Sequence, residues 1–282
     1  MGQHKGRPTS LIKNISENLS LVVVDEAHKI SAPTYLQALE MLANKFTSVV
    51  GVTATPGRAA FDDKSNQALA NIFQSNLLKP DLGKNPIVTL RNMGVLAEVV
   101  HLEIQTGLKF DIEFSENPLD SDITSRSLKR IAESPQRNQL IANTVKNEVD
   151  HGNPVIVFSC NVEHSKTLCA LLAVTGVRSS YIDHTKTYGA RKKTISDFKN
   201  GTTDVIVNYG VLSTGFDAPR IRSVIITRPT ASIVLYSQMI GRGLRGEAVG
   251  GNKYCRVIDI NDNFERYGNL EKIYSHFSEF WN

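Results

Sequence analysis

Two adjacent carboxylates, Asp25 and Glu26, follow the all-apolar run Leu21-Val22-Val23-Val24 and precede Ala27 and His28. Such a run reads as a buried parallel strand, and acidic groups leaving its carboxyl end stand where open α/β sheets bind ligands. One carboxylate there can hold a divalent cation through water while its neighbour orients or deprotonates an attacking water. The pair equally suits an acidic helix start, which the helix dipole favours. A second apolar run, Ser48 to Val52, ends in Thr53-Ala54-Thr55-Pro56-Gly57-Arg58. On a neighbouring strand, the hydroxyls of Thr53 and Thr55 would reach the Glu26 and His28 region and link ligand state to a second surface; as Thr, Pro and Gly they also suit a plain turn.

The second half of the chain carries two more such groups. Ser213-Thr214-Gly215-Phe216-Asp217 follows the apolar run Val205 to Asn208. Gly215 would let backbone approach a ligand, and Asp217 could accept from a ribose hydroxyl or from arginines; an ordinary β-to-α loop has the same composition. Gln238-Met239-Ile240-Gly241-Arg242-Gly243-Leu244-Arg245 places two guanidiniums three residues apart. On a continuing helix they share a face and suit a polyphosphate, while Gly241 and Gly243 permit close packing or an early helix end. A surface arginine pair is the plain alternative.

The elements that must position these groups alternate as βαβ units do. Apolar runs at Leu21 to Val24, Ser48 to Val52, Val155 to Phe158, Val205 to Asn208, Val224 to Thr227 and Arg256 to Ile260 read as strands. Ala32 to Ala43, Val162 to Ala173, Ala190 to Phe198 and Ile233 to Ile240 read as helices, with Ser232 as an N-cap. The polar stretch 105–120, holding Gly107 and Pro118, breaks the rhythm. The expected organisation is therefore a partial domain over 1–105, whose third strand would be Leu96 to Ile104, a linker over 106–120 and a complete doubly wound domain over 121–282. The basic runs Arg126 to Arg130 and Arg191 to Lys193 read as solvated helix faces.

In order and spacing, these four groups resemble motifs II, III, V and VI of the superfamily 2 helicases and translocases, with Val155 to Asn161 similar to motif IV. TATPGR, TGFDAP, RPTAS and QMIGRGLR together look closest to the type III restriction-like and XPB-like DNA motors. The resemblance covers about residues 19–263 and implies an α/β fold of two RecA-like parallel-sheet domains, the first truncated. It implies ATP and Mg²⁺ as cofactors, with Asp25 on Mg²⁺, Glu26 on the hydrolytic water and Arg242 and Arg245 on the γ-phosphate. Gly215, Asp217 and Gln238 would adjoin the nucleotide, and His28, Thr53, Thr55 and Gln238 would couple hydrolysis to motion. Asn161, Thr185 and Thr214 would touch phosphates of a nucleic acid, with DNA expected over RNA.

No GxxxxGK[ST] string occurs in the 282 residues. A P-loop supplies backbone N–H donors, a lysine and a cation-binding hydroxyl, so the other motifs alone would hold ATP poorly. The chain is accordingly expected to be a C-terminal fragment with little ATPase activity of its own, whose incomplete first sheet could self-associate. A non-enzymatic nucleic-acid-binding module of the same fold and the motor part of a restriction system are the other readings. A net charge of +4 permits a polyanionic partner without demanding one. Cys160, Cys169 and Cys255 lack metal-ligand spacing and are expected as buried thiols. With neither a membrane-length apolar run nor a signal peptide, the chain is expected in the cytoplasm.

Overall fold

The computed structural model describes residues 10–57, 63–115, 122–211, 218–261 and 281. These form two compact units, 10–80 with 281 and 81–261. The first unit holds α1 (Ser10–Asn18), β1 (Leu21–Asp25), α2 (Pro33–Leu42), β2 (Ser48–Val52) and α3 (Asp63–Ile72). The second holds α4 (Pro86–Asn92), β3 (Glu98–Gln105), α5 (Ser125–Ala132), α6 (Pro135–Asp150), β4 (Val155–Phe158), α7 (Val162–Val174), β5 (Ser179–Ile182), α8 (Tyr188–Lys199), β6 (Val205–Asn208), β7 (Ser223–Ile226), α9 (Ile233–Gly241) and β8 (Tyr254–Asn261). No described helix is long and apolar enough to cross a membrane.

In the second unit the six strands form one parallel sheet in the order β3-β8-β7-β4-β6-β5. The central strands β4, β6 and β7 are buried at every position, so both faces of this part of the parallel sheet are covered. One face packs Val155, Val157, Val205, Val207 and Ile225 against Ile141, Val145, Leu168 and Leu172 of α6 and α7. Asn161 caps α7 and Ser232 caps α9, each accepting from the backbone N–H three residues on.

The first unit is thinner. Its sheet has two parallel strands in register from Leu21 opposite Ser48 to Asp25 opposite Val52. The strand expected to be buried is half exposed: Leu21, Val23, Val50 and Val52 share one face and keep 49%, 59%, 44% and 52% of their surface. Two strands with three helices leave that face uncovered among the described residues.

The division between the units falls earlier than the sequence suggests. The strand expected to complete the first domain is β3, which pairs with β8 over eight residues and belongs to the second sheet. Hydrogen bonding along β8 outweighs sequence proximity to β2. Residues 106–115, expected as linker, lie along the second unit: Phe110 and Ile112 pack on Ile123, Leu128, Ile131 and Cys160, and Phe114 bridges Ile123. The break is near Pro80, not between 105 and 121.

Candidate functional site

Asp25 ends β1 and is exposed; its Oδ1 accepts the Glu26 N–H at 2.8 Å. The chain then turns sharply, with Glu26 left-handed at φ 51° and ψ 47°. Such a conformation is unfavourable for a residue with a Cβ and concentrates at functional turns. The turn sends His28 into the unit, where it is 6% exposed and its Nδ1 meets Thr53 Oγ1 at 3.1 Å and Glu26 Oε2 at 3.4 Å. Thr53 Oγ1 in turn lies 3.0 Å from the Thr55 carbonyl and accepts the Thr55 N–H at 3.1 Å. Parallel pairing of β1 and β2 thus brings the acidic turn and the Thr53–Thr55 turn together.

Two features hold that arrangement which sequence patterns did not disclose. Gly51 of β2 has no room for a side chain, since an added Cβ would lie 2.6 Å from Phe73 Cζ and 2.7 Å from Ala27 Cβ. Trp281 donates its indole N–H to the Pro56 carbonyl at 2.8 Å and packs on the Phe73 ring with centroids 6.4 Å apart. A single indole beside Phe280 carries no signal of its partner on Pro56.

In the second unit α9 ends at Gly241, with Arg242 as its C-cap and Arg242 Nε donating to the Gln238 carbonyl at 3.2 Å. Arg242 and Arg245 therefore do not share the face of one continuing helix. Instead Arg245 is exposed on an extended segment and pairs with Leu96 in an antiparallel bridge. The helix stops where Gly243 packs so closely that a Cβ would collide with Cys255 Sγ and Val224 Cγ2. The other end of α9 is held by the buried Asp122, whose carboxylate accepts from Arg228 Nη2 at 2.8 Å, Thr230 Oγ1 at 2.9 Å and Ala231 N at 2.7 Å. Asp122 was not apparent from sequence because its partners lie more than a hundred residues away.

Asn161 and Thr185 both have structural bonds. Asn161 Oδ1 accepts the His164 N–H at 2.7 Å, and Asn161 lines a groove with Lys129, Gln139, Thr167 and Tyr209. Thr185 gives both its N–H and its hydroxyl to Asp183 Oδ1, at 2.7 and 2.6 Å. Thr214, Gly215 and Asp217 lie outside the described residues. Beneath Asn161, His164 is buried between Cys160 N, which donates to Nδ1, and Asn138 Oδ1, which accepts from Nε2. Burial and then the nearby Arg137 charge push its pKa down to about 3, so the ring is neutral.

Of the three thiols expected to be buried, Cys160 and Cys255 are, while Cys169 is partly exposed. None is in a disulfide, and burial raises Cys169 to about 11 and Cys255 to about 12. Among the described residues no three His, Cys, Asp or Glu side chains cluster as a metal cage. A single exposed carboxylate at a strand end fits a hydrated Mg²⁺ shared with phosphates rather than an all-protein cage.

Residues 136–247 match the family described as the helicase conserved C-terminal domain. The chain is 30% identical over 260 residues to a Schizosaccharomyces pombe protein whose name is that of a mitochondrial ATP-dependent helicase, irc3. It is 26% identical over 257 residues to the Saccharomyces cerevisiae protein named as the ATP-dependent helicase IRC3. These alignments take in 91% and 89% of the chain but only 40% and 35% of the relatives. Among solved structures, a fragment of a type I restriction enzyme HsdR subunit from Vibrio vulnificus shares the fold, with a TM-score of 0.62 at 19% identity over 90% of this chain and 46% of that one. With its parallel α/β sheets the chain carries a RecA-like fold, holds a helicase conserved C-terminal domain over residues 136–247, and is homologous over most of its length to proteins named as ATP-dependent helicases.

Proposed function

We propose that the chain forms part of an ATP-driven motor on nucleic acid, in which Asp25 holds a hydrated Mg²⁺ and Glu26 positions and deprotonates the hydrolytic water. The observation that carries this reading is the strained Glu26 turn tied through His28 to Thr53. It presents two carboxylates at a strand end and connects them to a second turn through one hydrogen bond. Mg²⁺ would screen the phosphate charges, and Arg242 and Arg245 would counter charge on the transferring phosphoryl group, a contribution of about 10³–10⁵ in rate where an arginine finger acts. Thr55 and Gln238 would pass the state of the nucleotide to the rest of the chain, with Gly215 and Asp217 beside it.

The nucleic-acid contacts run through phosphates, and DNA is favoured because the motif set resembles that of the type III restriction-like and XPB-like DNA motors. The Asn161 carboxamide oxygen is committed to the helix cap, which leaves its NH₂ as the donor to a phosphate. Thr214 is the second contact. Thr185 is the weaker donor, having both its protons on Asp183. No GxxxxGK[ST] loop is present in these residues, so the chain alone would turn over ATP slowly. Its exposed Leu21, Val23, Val50 and Val52 face supports association with a second copy.

The test is nucleic-acid-stimulated ATPase activity of the full-length protein with wild-type Glu26 and with Glu26→Gln, on single-stranded DNA, duplex DNA and RNA. Stimulated hydrolysis lost in Glu26→Gln is expected, with DNA the better activator. Equal activity of the two proteins would refute the assignment.

A further inference from the structure

The loop that carries Arg245 is held by a segment that none of the helicase motifs includes. Three backbone hydrogen bonds tie Gly94–Ala97 to it: Ala97 N donates to Leu244 O at 3.0 Å, Gly246 N to Val95 O at 3.0 Å and Ala248 N to Gly94 O at 2.9 Å. Leu96 and Arg245 are the paired residues at their centre. From the opposite side Asn252 N donates to Arg245 O at 2.9 Å, and Asn252 Nδ2 is itself anchored on the carbonyls of Pro219 and Ile221. Arg245 thus sits with its backbone clamped on both sides and its side chain exposed.

The local sequence is suited to this clamp at each close approach. Gly94 has φ +69° and reverses the chain at the end of α4, where Gly94 N donates to Arg91 O and Val95 N to Leu90 O. A Cβ on Gly246 would overlap the Gly94 carbonyl, and one on Gly251 would overlap the Arg245 carbonyl. Beyond Ala97 the chain becomes β3, fixed along β8 for its whole length, so the clamp rests on the sheet and not on a loose loop.

We infer that Gly94–Ala97 is a positioning element for Arg245, setting where that guanidinium stands when it meets nucleotide phosphates; this rests on the function proposed above. An extended, exposed arginine loses less freedom on engaging its ligand when its backbone is already fixed. None of the four residues touches nucleotide in this account. Their effect passes through the Arg245 backbone.

Two measurements test it, using Gly94→Val, Gly94→Asn and Ala97→Pro. Valine is poorly tolerated at positive φ and asparagine is tolerated, while proline at 97 removes the donor to Leu244 O. In the 282-residue chain, amide hydrogen exchange over 238–248 should rise about tenfold in Gly94→Val and Ala97→Pro and stay near wild type in Gly94→Asn. Unchanged exchange in both disruptive variants overturns the proposal, whatever the activity. In the full-length protein, Gly94→Val should lower kcat for ATP by about tenfold or more with KM little changed, and Gly94→Asn should restore it. A Gly94→Val enzyme with wild-type kcat, alongside an inactive Arg245→Ala, also overturns it. Full activity in Arg245→Ala would instead sink the proposed function, leaving the clamp itself to be decided by exchange.

Discussion

His28 Nδ1 and Thr53 Oγ1 are 3.1 Å apart, joining residues from the ends of two neighbouring parallel strands. The hydroxyl has its own short contact to the Thr55 carbonyl and the ring nitrogen also faces the Glu26 carboxylate, so the geometry suits His28 donating from Nδ1. Replacing either side chain should cost stability non-additively. A double-mutant cycle of His28→Ala and Thr53→Val, followed by urea denaturation, should return a coupling of about 0.5–1.5 kcal/mol. Strictly additive costs would show that the two groups do not depend on one another.

Glu26 adopts positive φ without being glycine. Glu26→Gly should therefore raise stability by about 0.5–1 kcal/mol, the relief of strain being partly offset by a more flexible unfolded chain. In the full-length protein the same change should lower stimulated ATP hydrolysis by about 10²-fold or more. Thermal melting of the chain and ATPase assays on the full-length protein test the pair; a lower melting temperature would contradict the account of the turn.

Trp281 is the single tryptophan of the sequence. Trp281→Phe should keep the ring packed near Phe73 but lose the bond to the Pro56 carbonyl, costing about 1 kcal/mol. Urea unfolding followed by circular dichroism measures this. A cost near zero would mean that the indole N–H is as well satisfied by water.

His164 is held neutral, with its pKa down at about 3 against an ordinary value of 6.5. The unfolded chain then binds one more proton than the folded chain between those values. Stability is present in full above pH 6.5 and is lost as pH falls towards 3, by up to about 1.4 kcal/mol per pH unit from this one group. Denaturant titrations at pH 7 and pH 5 should show the wild type losing stability, and His164→Gln should lose less over the same interval. Identical slopes for the two proteins would assign the acid sensitivity elsewhere.

Val23 and Val50 are paired on the uncovered face of the first sheet. If that face mediates self-association, sedimentation velocity of the 282-residue chain should show a dimer or larger species that Val23→Lys and Val50→Lys shift to monomer. A monomeric wild type at high concentration would exclude the face as a contact between copies.

Much of this protein is determined by sequence alone. Leu21 to Val24, Val155 to Phe158 and Val205 to Asn208 read as strands because they are short and rich in β-branched residues, and Ser232 ahead of Ile233 marks a helix start because its hydroxyl can cap the free N–H groups. The acidic pair and the Gln238–Arg245 string were legible for the same reason: type and spacing are local properties. Only tertiary structure decided where β3 belongs, since an edge strand's partner is chosen by a register with β8 that lies about 150 residues further along the chain. It also decided that α9 stops at Gly241, that Arg245 is held by Leu96, that Asp122 holds the start of α9 and that Trp281 supports Pro56. Each of these is a contact between distant segments, and no periodicity or motif encodes the partner of a hydrogen bond that closes only when the chain has folded.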